Sequence, residues 1–150
     1  MQMTTDHISD FFLVFCEHAG TRPDGKLNIE GIYNELYAPT FPARQDALEL
    51  AGMIEWRRDT EGVQPFTIHL VDPAGKPIFS IEGQTEIDAR VEARAPAKTH
   101  LIFSLENLVF VNPGRYRLVV NFQDGGLAGP SLHLLHSPGE GERLDPGAEE

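Results

Sequence analysis

Apolar side chains in this chain recur at every second position, in short runs cut by Pro, Gly and Asp. A period of two belongs to extended backbone, whose successive side chains point to opposite faces. Helical spacing is nearly absent, so the pattern predicts a chain built from strands. The clearest instance sets Phe66, Ile68 and Leu70 between Thr67, His69 and Val71. Asp72-Pro73-Ala74-Gly75-Lys76 follows with type I turn chemistry, Pro presetting φ and Gly closing the turn. Residues 78–87 then return, with Phe79 and Ile81 on one face. Residues 115–123 alternate as cleanly, with Tyr116, Leu118, Val120 and Phe122 inward and Arg115, Arg117 and Asn121 outward.

The remaining segments are read the same way. Residues 8–17 carry Phe11, Leu13 and Phe15 on one face and Phe12, Val14 and Cys16 on the other, which predicts a central strand covered on both sides. After a turn at 22–26, residues 28–37 form a second strand with Gly31 as a bulge or close-packing point. A third strand spans 47–58, with a bulge expected at Gly52. Residues 88–97 suit either a half-exposed edge strand or a short helix. Residues 100–111 and 132–136 complete the set, the latter entered through a glycine-rich hairpin loop over 124–129. Roughly seven to nine strands with turns every 8–12 residues fit an all-β, antiparallel two-layer β-sandwich, immunoglobulin-like or C2-like. A closed barrel is the alternative.

Composition bounds the rest. The chain of 150 residues is long enough for one core, placed at 1–136, while Pro, Gly and five acidic residues against Arg143 make 137–150 a disordered acidic tail. The net charge of −11 argues against nucleic acid, whose phosphates demand a cationic surface, and against docking on anionic lipid. The single cysteine, Cys16, permits no internal disulfide and favours a reducing compartment. No apolar run is long enough to span a bilayer and no leader pattern is visible, so the expectation is a soluble, cytoplasmic, bacterial-type protein.

Four stretches carry a family resemblance. Gly25-Lys26-Leu27-Asn28-Ile29-Glu30-Gly31-Ile32-Tyr33, followed by Ala38-Pro39-Thr40-Phe41-Pro42, resembles the opening of the bacterial domain-of-unknown-function family DUF6941. The acidic-Pro-x-Gly hairpin at 72–76 and the Pro-Gly-Arg-Tyr turn within 110–117 resemble the later parts of that family's pattern. The likeness covers residues 10–135 and implies a small β-sandwich of unassigned role. It transfers no active-site residue, because its matched pieces are turns and strands.

The chain contains no G-x-S-x-G elbow, no Walker pattern and no G-x-G-x-x-G between strand and helix. Cys16 and His18, two apart on one strand face, form the one thiol–imidazole candidate, though a buried core cysteine is the simpler reading. His133 and His136 lie on opposite faces at a three-residue offset, and His69 and His100 are a cross-strand candidate pair. Asp72, Asp88 and Asp124 at strand ends invite a calcium reading, but turn capping accounts for Asp72 and Asp124. No catalytic residue, cofactor or metal site is therefore assigned. What remains is recognition surface. Trp56, Arg57 and Arg58 are the only Trp and the densest basic spot, though an inward Trp56 beside solvated arginines is the simpler reading, and Tyr33, Tyr37 and Phe41 form an aromatic loop region that serves recognition or caps one end of the sandwich. The expectation is a non-enzymatic module that binds a protein partner or itself. The alternative is a small-ligand or carbohydrate-binding sandwich, assisted by calcium.

Overall fold

The computed structural model describes residues 7–88, 90, 94–123 and 125–137. Its nine strands are β1 (Ile8–Thr21), β2 (Leu27–Tyr33), β3 (Glu35–Ala38), β4 (Ala43–Trp56), β5 (Gly62–Val71), β6 (Pro77–Ile87), β7 (Lys98–Phe110), β8 (Gly114–Phe122) and β9 (Gly125–His136). They form two open sheets, ordered β2-β1-β4-β7 and β3-β9-β8-β5-β6. The architecture is the predicted β-sandwich, and the barrel alternative is not adopted. In the 88–97 segment, read as edge strand or short helix, the described residues 88, 90 and 94–97 lie in neither, and 89 and 91–93, like the tail beyond Ser137, lie outside the described residues.

Alternation decides what faces inward. Phe66, Ile68 and Leu70 of β5, Tyr116, Leu118 and Val120 of β8, and Leu48, Leu50, Ile54 and Trp56 of β4 are buried in one contiguous core. Such interdigitation of two inner sheet faces is what stabilises a sandwich. The β5–β6 turn is held as its chemistry predicts. The Asp72 carboxylate accepts the N–H groups of Ala74 (2.9 Å) and Lys76 (2.8 Å), and Gly75 takes a φ of 90°. Where β7 crosses over to β8, the Tyr116 hydroxyl donates to the Asn112 carbonyl at 2.7 Å while its ring meets Phe110 edge-on.

Four expectations are corrected. The strand over 28–37 is two strands: β2 stays in the first sheet, the chain breaks at Asn34, and β3 joins the second. There β3 pairs with β9 in parallel, so the sandwich is not wholly antiparallel. Gly52 carries no bulge, because its pairing with Leu13 on one side and Leu101 on the other is in register. Glycine is needed there for space, since a Cβ would collide with the Phe12 carbonyl and lie 2.8 Å from Leu13 Cα. The glycine-rich stretch after β8 is strand rather than loop: β9 begins at Gly125, and Gly129 lets it approach Leu118, whose Cβ would lie 2.9 Å from an added methyl. Gly31 adopts φ 68° without a register shift, so it marks a close approach to Glu17 rather than a bulge.

Candidate interaction surfaces

The residues singled out from the sequence do not converge on one patch. Trp56 is 1% exposed, its indole N–H donating to Thr99 Oγ1 at 2.9 Å and its ring set edge-on to Phe122 at 5.9 Å. It is a core residue and offers a partner nothing. The even-numbered parity of Leu48, Leu50 and Ile54 along β4 carries this signal, because it turns Trp56 inward too. Arg57 is exposed, while Arg58 is half-buried and its guanidinium donates to the Arg94 carbonyl. With Ser9, Glu55, Asp59 and Pro96 they rim an open cleft of about 430 Å³.

Tyr33 closes β2 and packs on the core, where burial first, then the charges of Cys16 and Glu17, push its phenol pKa up. Tyr37 lies beyond the sheet crossing, on β3, and donates to Glu35 Oε2 at 2.8 Å, a bond that raises its pKa. Phe41 is half-buried against the core. Tyr33 and Tyr37 thus belong to different sheets.

The chemical candidates separate as well. Cys16 is fully buried, and its thiol is pushed up by burial and then by Glu49, with a hydrogen bond from the His18 backbone opposing. His18 is exposed, with its Nδ1 3.7 Å from Glu49 Oε1. His69 and His100 sit in different sheets, the first 2.6 Å from Ser80 Oγ and the second 3.4 Å from Thr21 Oγ1. Asp72 spends its carboxylate on its own turn. Among the described residues no group of three or more His, Cys, Asp or Glu side chains is gathered as a metal site.

The outer face of the first sheet is where apolar surface collects. Read across β1, β4 and β7, its rows are Asp10–Glu55–Lys98, Phe12–Met53–His100, Val14–Ala51–Ile102 and Cys16–Glu49–Ser104. One end is polar: Ser9 Oγ donates to Glu55 Oε2 at 3.0 Å, and Lys98 Nζ lies 3.8 Å from Glu55. The other end is covered by the molecule itself. β1 pairs with β4 only as far as Cys16 and continues with β2 alone. This β1–β2 arm reaches back across the face: the Ala19 N–H donates to Glu49 Oε1 at 2.7 Å, and Thr21 touches His100 of β7. Ser104 Oγ donates to the same carboxylate at 3.0 Å. Cys16 and Ala51 are buried beneath the arm together with its own Ala19, with Ile29 of the arm and Ile102 packed against them.

Between arm and polar row an apolar band stays open, with Phe12 41% exposed and Val14, Met53 and Ile102 half-buried. The expected cover on both faces of β1 therefore holds only for Cys16. Ile32, 62% exposed, extends the band at β2. The second sheet's outer face is polar at its centre, with Arg115 bonded to Ser131 (2.8 Å), His69 to Ser80, and Thr67 flanked by Asn121 and Glu82, while its exposed apolar residues, Val63 and Leu135, stand apart on β5 and β9. Sequence reasoning registered the apolar parity of Phe12, Val14 and Cys16 but not that it is half uncovered; it missed Glu49, which has no local signature.

No helix among the described residues is long and apolar enough to cross a membrane. No curated protein matches the chain. The model of the family of unknown function DUF6941 matches residues 11–134, nearly the whole sandwich from within β1 to within β9, and the chain belongs to that family.

Proposed function

We propose that this domain is a non-catalytic binding module that docks a polypeptide, a foreign one or a second copy of itself, on the outer face and open margin of its first sheet. The observation that carries the reading is the open apolar band of Phe12, Val14, Met53 and Ile102, in neighbouring rows of one sheet, whereas the exposed Val63 and Leu135 of the second sheet stand on separate strands. Partly exposed, contiguous apolar surface on a soluble domain marks a contact site far better than scattered residues do. The net charge of −11 supports a protein partner over nucleic acid or anionic lipid, and the lone, buried Cys16 supports a reducing, cytoplasmic setting.

An immunoglobulin-type reading of the sandwich rests on two features. The Tyr116 hydroxyl bonds back to Asn112 at the crossover into β8, the arrangement of a tyrosine corner. The short parallel pairing of β3 with β9 fits an N-terminal region that switches sheets before the last strand is laid down, here between β2 and β3. Such domains work chiefly by presenting faces and loops for recognition, an analogy of fold.

Site-specific photo-crosslinking tests the reading. A photoreactive side chain at position 12 is expected to capture polypeptide in the native cell, and one at Val119, on the polar face, is not. Equal capture at both positions, or none at either, overturns it.

A further inference from the structure

Resting on that reading, we propose that the partner is a second copy of this chain, joined edge to edge along β7 so that two first sheets become one continuous sheet about a twofold axis at Ile102. Among the described residues β7 pairs with β4 alone, leaving its other edge open. An unpaired edge presents a row of backbone donors and acceptors ready for another strand.

The side chains of β7 fix the register. Its regular stretch begins at Lys98 and ends at Glu106, because Asn107 turns to φ 57° and its pairing with β4 is interrupted there. Ile102 is the midpoint. Antiparallel self-pairing about that point sets Lys98 of one protomer opposite Glu106 of its partner, twice by symmetry. Ile102 meets Ile102 between them. On the inner face Leu101 opposes Phe103, which is only half-buried within one protomer. Opposite charges and apolar pairs placed directly across a ladder are the favourable cross-strand combinations, and an isologous contact needs this self-complementarity.

The other margins lack it. β6 is also an edge, but its charged residues are Glu82 and Glu86, so no register of β6 with itself joins opposite charges. β3 is only four residues long. β2 carries Glu30 as its one charge and is interrupted by Gly31 at φ 68°. The open part of β1 is guarded by Asp10, whose carboxylate accepts the Phe11 N–H at 2.9 Å. β7 alone combines length, an apolar centre and complementary ends.

Sedimentation equilibrium of the purified chain up to about 1 mM tests the pairing. The expected result is a reversible dimer that Lys98→Glu and Glu106→Lys each weaken about tenfold, since each turns two attractions into two repulsions. Lys98→Glu leaves acids at both ends of the edge, and Glu106→Lys leaves lysines at both. An equimolar mixture of the two is therefore expected to recover association as a heterodimer, resolved by native mass spectrometry with one variant isotope-labelled. Cooperative thermal unfolding shows that the variants fold, with a small drop expected in Lys98→Glu, which sets an acid beside Glu55 of the same protomer. A strict monomer throughout the range, a dimer indifferent to both reversals, or a mixture that stays dissociated each overturns the pairing. The binding reading falls separately, on the crosslinking result at position 12, so a monomer that still captures a foreign polypeptide sinks only the dimer.

Discussion

The two faces of the first sheet are held by different means. Inward, β1 and β4 contribute Leu13, Phe15, Leu48, Leu50, Ile54 and Trp56 to a core shared with every strand of the second sheet. Outward, the small residues Cys16 and Ala51 lie beneath an arm that adds its own Ala19 and whose visible fastenings are the Glu49 carboxylate and the Thr21–His100 contact. Close packing of large side chains makes the first a global determinant of stability. The second has few apolar contacts and fastenings near solvent, the profile of a region that opens locally. One sheet thus carries a rigid side and a releasable one, and the open apolar band adjoins the releasable side.

The largest effect that sharpens this contrast is expected from Trp56→Ala. Loss of the biggest fully buried side chain, together with its hydrogen bond to Thr99, is expected to cost about 3–5 kcal/mol in urea unfolding. Labelling of Cys16 should rise only as far as global unfolding exposes it. Gly52→Ala comes next, at about 3 kcal/mol, because the added methyl has backbone of β1 against it and must prise that strand from β4. This variant breaks the contrast, since both faces of β1 depend on the same pairing. A Gly52→Ala protein as stable as the wild type contradicts the close approach. Tyr116→Phe lies far from the arm. It removes one hydrogen bond to Asn112 and is expected to cost about 1 kcal/mol, with Cys16 reactivity in the folded protein unchanged.

What the sequence made legible is what local pattern controls. The β5–β6 hairpin was readable because its alternation and its Asp72-Pro73-Ala74-Gly75 turn both act within a few residues, and β8 was readable for the same reason. The parity of β4 also encodes the burial of Trp56, yet the neighbouring Arg57 and Arg58 draw attention outward. Non-local pairing leaves no such trace. Nothing in Glu35–Ala38 announces a change of sheet or a parallel partner 98 residues away, as in Glu35 opposite His133. The strand character of Gly125–Pro130 depends on contact with Leu118, which no glycine count reveals. The apolar outer parity of β1 was visible, but whether another layer covers it depends on an arm of the same sheet folding back, a tertiary event.

Glu49→Ala should show the smallest global effect and the most specific local one. It removes the acceptor of the part-buried Ala19 N–H, which water reaches once the arm opens, and of the exposed Ser104 Oγ, so unfolding free energy is expected to fall by no more than about 1 kcal/mol. Labelling of Cys16 under native conditions should nevertheless accelerate about tenfold as the arm opens. Titration supplies an independent reading. In the wild type, burial and the Glu49 charge both raise the Cys16 pKa above its ordinary 9.0, so the folded protein holds that proton more tightly than the unfolded chain does. The associated stability is complete below pH 9.0 and is lost as pH rises through the folded value. Tyr33, shifted upward by its own burial, extends the loss to higher pH. Removing Glu49 takes away one of these causes and loosens the other. The thiolate absorbance of Glu49→Ala should therefore appear at lower pH, and its alkaline loss of stability should be shallower. Identical thiol titrations in the two proteins would show that the carboxylate does not fasten the arm.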